Sequence, residues 1–298
     1  MAGHRERRWI EPGLRCVRAA NPSPFTGAGT NTWIVGEGGV AVIDPGPRDP
    51  SHLSAILGAL TAGEWIAKII VTHAHLDHSA LAGDLARQTG APVLGFGPPD
   101  AGRSATMARL AAEGLAGGGE GVDLTFLPEV PLADGDDVVG GGWRLEALHT
   151  PGHFAGHLCL AWGDRLFSGD LVMGWATSLV SPPDGDMAAY MASLQRLGRA
   201  RWSRLYPGHG APVEDPAARL AELIAHRQRR EAVILDTLAQ GPLTLAALTA
   251  RVYADTPPAL HPAAARNAFA HLIALCEQGQ VIATPTLAES ALFQTRKN

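Results

Sequence analysis

Over the first two thirds of the chain, apolar residues come in short runs broken by glycine and proline. In the last third they recur every three or four positions. The first pattern belongs to buried strands and the second to helices with one apolar face. Thr32–Gly36 and Val40–Ile43 predict a hairpin through Glu37-Gly38-Gly39, and the second run stops at Asp44-Pro45-Gly46. Leu53, Ile56, Leu57 and Leu60 give helical spacing over Pro50–Leu60, followed by a short buried strand at Lys68–Val71. Ser79–Gln88 reads as a helix, Pro92–Phe96 as a strand, and the Ala- and Gly-rich stretch Ala101–Gly121 as a helix running into a mobile loop. Val122–Leu127, Trp143–Leu148, Leu158–Trp162 and Arg165–Phe167 read as strands, the last two turning at Gly163-Asp164. A helix over Asp186–Leu197 and a strand over Trp202–Tyr206 close this part. Strands, helix, strand, given twice, predict two half-sheets facing one another with helices outside.

Pro216–Gln240 has no internal Gly or Pro and predicts one long helix, stopped by Gly241-Pro242. Thr244–Val252, Ala263–Gln278 and then Gly279 leading into Val281-Ile282 give helix, helix, glycine turn and strand, the order of a small winged-helix unit. A unit of about seventy residues needs a neighbour to stabilise it, and the long helix supplies one.

Composition narrows the function classes. Of 298 residues, 46% are hydrophobic and 18% charged, which supports a sizeable core and argues against disorder. No run approaches the roughly 18 apolar residues of a membrane span. A net charge of −5 provides no global attraction for nucleic acid or anionic lipid. From Arg196 onward there are twelve Lys+Arg against eight Asp+Glu, and before it 12 against 21, the C-terminal excess being mostly arginine on expected helices. Cys16, Cys159 and Cys276 are too few and scattered for a disulfide framework. The opening MAGHRERRW lacks an apolar core, so a reducing cytoplasm is the expected compartment.

Histidine placement carries the chemistry. His73-Ala74-His75-Leu76-Asp77-His78 directly follows the expected strand Lys68–Val71, so a turn at a strand end presents four groups of the kinds Zn²⁺ binds, imidazole nitrogen and carboxylate oxygen. Thr150-Pro151-Gly152-His153 and Tyr206-Pro207-Gly208-His209 each place a further histidine after a strand and a tight turn. Ser168-Gly169-Asp170 adds a carboxylate between them.

In this order, the HxHxDH loop, TPGH turn, GD aspartate and final PGHG histidine resemble the metallo-β-lactamase superfamily over most of the chain. The likeness is strongest to its β-lactamase-like protein 2 subgroup, which carries a C-terminal winged helix and includes single-strand endoribonucleases. His226–Glu231 looks like that subgroup's hinge. The resemblance implies an α/β fold, the αβ/βα sandwich of two mixed sheets with outer helices, over residues 1–226, and a winged-helix domain over 227–298. It implies a first metal on His73, His75 and His153, a second on Asp77, His78 and His209, and Asp170 between them. The expected ions are two Zn²⁺, with Fe or Mn accepted by the same ligands. Two such ions about 3.5–4 Å apart acidify a shared water and leave open positions for substrate. Asp77 is also the candidate for handling the leaving group's proton.

Asp44 and His149 are expected to orient ligands, with His157 weighed slightly lower, while His52, His226, His261 and His271 are expected to be packing or surface residues. Trp175, Thr177 and Ser178, following Asp170, are candidate substrate contacts. The function implied is metal-dependent hydrolysis of an ester, a thioester or a phosphodiester, the last meaning single-stranded RNA. Neither a membrane nor a secretory role is expected, and the small domain would serve as a lid or a homodimer contact. The alternative from another class is a non-catalytic nucleic-acid-binding regulator, for which the small domain offers Arg251, Arg266 and Asn267.

Overall fold

The computed structural model describes residues 8–117 and 121–296, so the first seven residues and the Gly118–Glu120 end of the expected mobile loop lie outside it. The chain opens on a hairpin that the hydrophobic pattern does not announce, Arg8–Glu11 (β1) and Leu14–Arg18 (β2). Its second strand hides an arginine. Arg15 is buried, paired with Glu64 at 2.6 Å and donating to the Ala59 carbonyl at 3.0 Å. Asn31–Val35 (β3) and Gly39–Ile43 (β4) form the expected hairpin, and Pro50–Gly58 (α1) leads to Trp65–Ile70 (β5), parallel to β4. The helix expected over Ser79–Gln88 is two pieces, Leu76–Ser79 (α2) and Ala82–Thr89 (α3), before Val93–Gly95 (β6), Ala105–Ala112 (α4) and Val130–Pro131 (β7).

The second sheet comprises Asp137–Val139 (β8), Arg144–His149 (β9), Leu158–Trp162 (β10) and Arg165–Gly169 (β11). After the helix Met187–Leu197 (α5) it is completed by Arg204–Pro207 (β12). The sheet orders are β1-β2-β3-β4-β5-β6-β7 and β12-β11-β10-β9-β8. Strand alternation sorts their side chains. Trp33, Val35, Ala41 and Ile43 of the first sheet meet Leu158, Leu160, Phe167 and Tyr206 of the second in one core. Ile34, Val40 and Val42 turn outward onto Ile56 and Leu85, and Cys159, Leu166 and Leu205 turn outward onto Tyr190 and Leu194. This is the expected αβ/βα sandwich.

One expected strand is absent. Val122–Leu127 turns instead of extending: Asp123 Oδ1 accepts from the Thr125 amide (3.1 Å) and hydroxyl (2.7 Å), closing a local side-chain turn that competes with strand pairing. Leu124 and Leu127, which a buried strand would have covered, are exposed.

The C-terminal unit follows on Pro216–Ala239 (α6), a single helix with Asp215 as its N-cap and Pro216 at its start. Leu220 and Leu223 of α6 pack on the second sheet, and Ile234 and Leu238 pack among Leu243–Thr244 (β13), Leu245–Val252 (α7), His261–Glu277 (α8), Val281–Thr284 (β14) and Leu292–Thr295 (β15). A three-stranded sheet, β13-β15-β14, completes a winged helix. Helix α8 serves two cores: Phe269 and Leu272 fill the small unit, while Ala270 and Ala274 pack against the sandwich. Among the described residues, no helix is long and apolar enough to cross a membrane.

Candidate metal centre

The ends of β5, β9, β11 and β12 reach one rim of the sandwich, and the turns leaving them bring seven buried side chains together, with Asp44 at the end of β4 behind them. His73 Nε2 lies 2.9 Å from His75 Nδ1, which is 3.1 Å from His153 Nε2. His78 Nε2 is 3.2 Å from His209 Nε2, and each faces the Oδ2 atoms of Asp77 (3.4 and 3.2 Å) and Asp170 (3.5 and 3.2 Å). Asp170 Oδ2 also approaches His153 Nε2 at 3.9 Å, which puts it between the two groups. The donor atoms fall into His73/His75/His153, Asp77/His78/His209 and His73/His78/Asp170, each set lying within 4.8 Å.

Hydrogen bonds behind the rings fix which nitrogen faces inward. The Thr72 hydroxyl donates to Asp44 Oδ2 (2.8 Å) and accepts from His73 Nδ1 (3.0 Å), while His78 Nδ1 donates to Asp44 Oδ2 (2.9 Å). His153 Nδ1 donates to the Leu179 carbonyl at 2.6 Å, and His209 Nδ1 points at the Gly29 carbonyl, 3.4 Å away. In the neutral form that a ligand takes, these four rings therefore carry their proton outward and turn Nε2 toward the centre. With both rings neutral, the Nε2 atoms of His78 and His209, 3.2 Å apart, face one another as two acceptors that cannot bond to each other, and a cation between them removes the conflict. Asp77 Oδ1 and Asp170 Oδ1 are likewise buried without a hydrogen-bond partner. The donor set fits a pair of divalent cations.

The electrostatics agree. Burial, reinforced by neighbouring histidines, holds the His73 pKa well below its ordinary value, and burial lowers His75 to about 3, so both rings stay neutral as ligands must. Burial would also lower His209, but the Asp170 carboxylate outweighs it and lifts the ring to about 9. His78 is likewise raised well above the usual range, Asp77, Asp170 and Asp44 prevailing over burial. The carboxylates that draw a proton onto these rings would draw a cation into the same place. Two glycines keep the room. A β-carbon at Gly208 would sit 2.4 Å from Asp170 Oδ1, and one at Gly169, whose φ is +46°, 2.5 Å from His157 Nε2.

Asp44 is placed as expected behind His73 and His78, held at φ 51°, the single non-glycine with positive φ among the described residues. Holding a side chain in that region costs about 1–2 kcal/mol. His149 corrects the expectation: it stacks on Phe96 (4.1 Å, 13°), bonds the Ala155 carbonyl at 2.9 Å and makes no hydrogen bond to the seven. His157 takes the part instead, its Nε2 accepting from the Asp170 amide (3.2 Å) and its Nδ1 donating to Thr150 Oγ1 (3.0 Å). Ser178 also departs from expectation. It is buried and donates to the Asp170 and Leu171 carbonyls at 2.6 and 2.9 Å, so it braces the aspartate's loop and is closed to substrate. Trp175 and Thr177 are exposed, Trp175 lying against Gly27 and Gly210 beside the His209 turn. Sequence reasoning missed Thr72 and Thr30, whose hydroxyl meets Asp77 Oδ2 at 3.1 Å. Thr72 alone had a signal, its place directly before the histidine loop.

Comparison with known proteins follows the same lines. Residues 25–209 match the Metallo-beta-lactamase superfamily, and residues 244–288 match the Beta-lactamase associated winged helix domain. A Beta-lactamase-like protein 2 homolog of Drosophila melanogaster is 31% identical, over 89% of this chain and 88% of its own. An atrochrysone carboxyl ACP thioesterase of Passalora fulva is 30% identical, over 83% of this chain and 70% of its own. The crystal structure of a metallo-beta-lactamase family protein from Thermus thermophilus superposes with a TM-score of 0.77 at 25% identity, covering 97% of this chain and all of that one. A chain solved in a di-iron-bound form is 31% identical with a TM-score of 0.51, covering 70% of this chain and 96% of its own.

Proposed function

Because the chain belongs to the metallo-beta-lactamase superfamily and is a metal-dependent hydrolase, we propose that its seven-residue cluster holds two divalent cations, zinc by preference, and cleaves an ester or thioester. The observation that carries this reading is the meeting of four outward-protonated histidines with two partnerless carboxylate oxygens at one rim. His73, His75 and His153 would hold one cation, Asp77, His78 and His209 the other, and Asp170 would touch both. When bound, the pair supplies Lewis-acid polarisation of the scissile oxygen and an acidified water as nucleophile. Asp44 and Thr72 keep His73 and His78 in the ligating tautomer. Asp77 has one oxygen bonded to Thr30 and one without a hydrogen-bond partner, which suits it to pass a proton to the departing thiolate or alkoxide. Trp175 offers an exposed indole face to the acyl or leaving group at the lip.

An acyl substrate is favoured over RNA because two of the three residues a nucleic-acid reader would need are occupied. Arg266 bonds Ser181 and Pro182 of the sandwich, and Asn267 bonds Val180. In this reading residues 1–226 carry the chemistry, and residues 227–298 brace it. The likeness to the Passalora fulva thioesterase supports the same choice. Purified protein offered thioesters, lactones and single-stranded RNA, with and without chelator, tests it. Chelator-sensitive thioester or lactone cleavage is expected, and RNA cleavage alone overturns the substrate choice.

A further inference from the structure

The residues on either side of Leu179 are held from the winged helix. The Val180 amide donates to Asn267 Oδ1 on α8 at 3.0 Å, and Arg227 on α6, itself 3.4 Å from the same Asn267 oxygen, donates to the Ser178 carbonyl. Between these two anchors, the Leu179 carbonyl accepts the Nδ1 proton of His153 at 2.6 Å. Arg227 is buried, its guanidinium 5.1 Å from the Tyr190 ring, so this is an enclosed clamp. We infer that Asn267 and Arg227 are positioning residues for the metal centre: through Val180 and Ser178 they set the Leu179 carbonyl that aims the His153 ring. Through Asn267 the small domain would then tune the tri-histidine half of the site and leave the Asp77/His78/His209 half alone, because that half takes its orienting bonds from Asp44, Thr30 and Gly29, all in the sandwich, whereas Arg227 also backs Ser178, which holds the Asp170 loop.

The clamp has two features that a packing contact lacks. Asn267 Oδ1 faces a main-chain donor and a guanidinium together, so a carboxylate there preserves both bonds and an alkyl group neither. The Asn267 bond to Val180 also reaches the site through one histidine, so its effect vanishes when that histidine is gone.

The inference rests on the two-cation reading, and stepwise zinc titration of the full-length apoprotein against a chromophoric chelator separates the two. Parent protein binding no zinc at this cluster defeats the reading itself. Given two binding steps in the parent, Asn267→Leu should weaken by about tenfold the step that His153→Ala also weakens, the low end of the loss seen when a ligand's orienting partner is removed. Asn267→Asp should restore it, and the other step should not move. In a His153→Ala background, Asn267→Leu should have no further effect. Arg227→Met should weaken the same step and, through Ser178 and Asp170, the other as well, and thermal melts of each apoprotein report whether the variant is folded. Two unchanged steps in folded Asn267→Leu and Arg227→Met would overturn the inference. So would equal weakening of both steps by Asn267→Leu, or an effect of that substitution that persists without His153.

Discussion

His153 sits at the rim of the sandwich and His271 in the middle of α8, and both are shut off from solvent. Burial lowers the pKa of both, His271 to about 3, so both rings are neutral. Their partners differ. The Nδ1 of His153 is tied to a carbonyl, and its Nε2 is turned toward His75 Nδ1 and the Asp170 carboxylate, whereas both nitrogens of His271 lie buried with no hydrogen-bond partner, near Arg227, Arg230 and His226. A neutral imidazole with one nitrogen fixed and the other aimed at fellow acceptors is prepared for a cation. One with neither nitrogen engaged is a packing group that carries a desolvation penalty. Burial and neutrality are common to both; the orienting bond separates ligand from filler.

The largest effect should come from the carboxylate between the two groups. Asp170→Ala should abolish binding of the metal pair and lower hydrolysis by about a thousandfold or more, since polarisation by bound metal contributes several kcal/mol. Metal analysis and single-turnover assays check it, and a folded, fully active variant would break the comparison at its strongest point. Asp44→Ala comes next. It removes the anchor of both His73 and His78, and metal affinity should fall about 10–100-fold by competition titration.

His271→Leu probes the filler side. The native pKa of about 3 lies below the unfolded value of about 6.5, so between them the unfolded chain holds a proton that the native chain lacks, and stability falls as pH falls. From about pH 6.5 to 5 that loss is about 2 kcal/mol. The leucine variant should lack it in chemical denaturation, with zinc affinity unchanged. Smallest of all, Trp175→Ala should leave stability within about 0.5 kcal/mol, as expected for an exposed side chain, while raising KM for the acyl substrate.

Much of this was legible because it is local. The HxHxDH loop and the two PGH turns are contiguous motifs at strand ends, and alternation and helical spacing sufficed for the sandwich and the order of the winged helix. What failed was long-range or locally contested. The β1–β2 hairpin hides behind its arginines, whose buried member is paired with Glu64 across the fold. The apolar residues of Val122–Leu127 lost to the turn at Asp123. His149 and His157 both flank the TPGH turn, and only the pairing of β9 with β10 decides which ring reaches Asp170. The docking of Asn267 and Arg227 on Ser178 and Val180 joins positions far apart in the chain and leaves no periodic trace.

Anomalous diffraction at the metal edge from crystals of the metal-loaded protein would show whether the seven side chains hold a cation pair. Two peaks are expected, one among His73, His75 and His153, the other among Asp77, His78 and His209, with Asp170 adjoining both. No peak at the cluster, or a single one bound elsewhere on the chain, would contradict it.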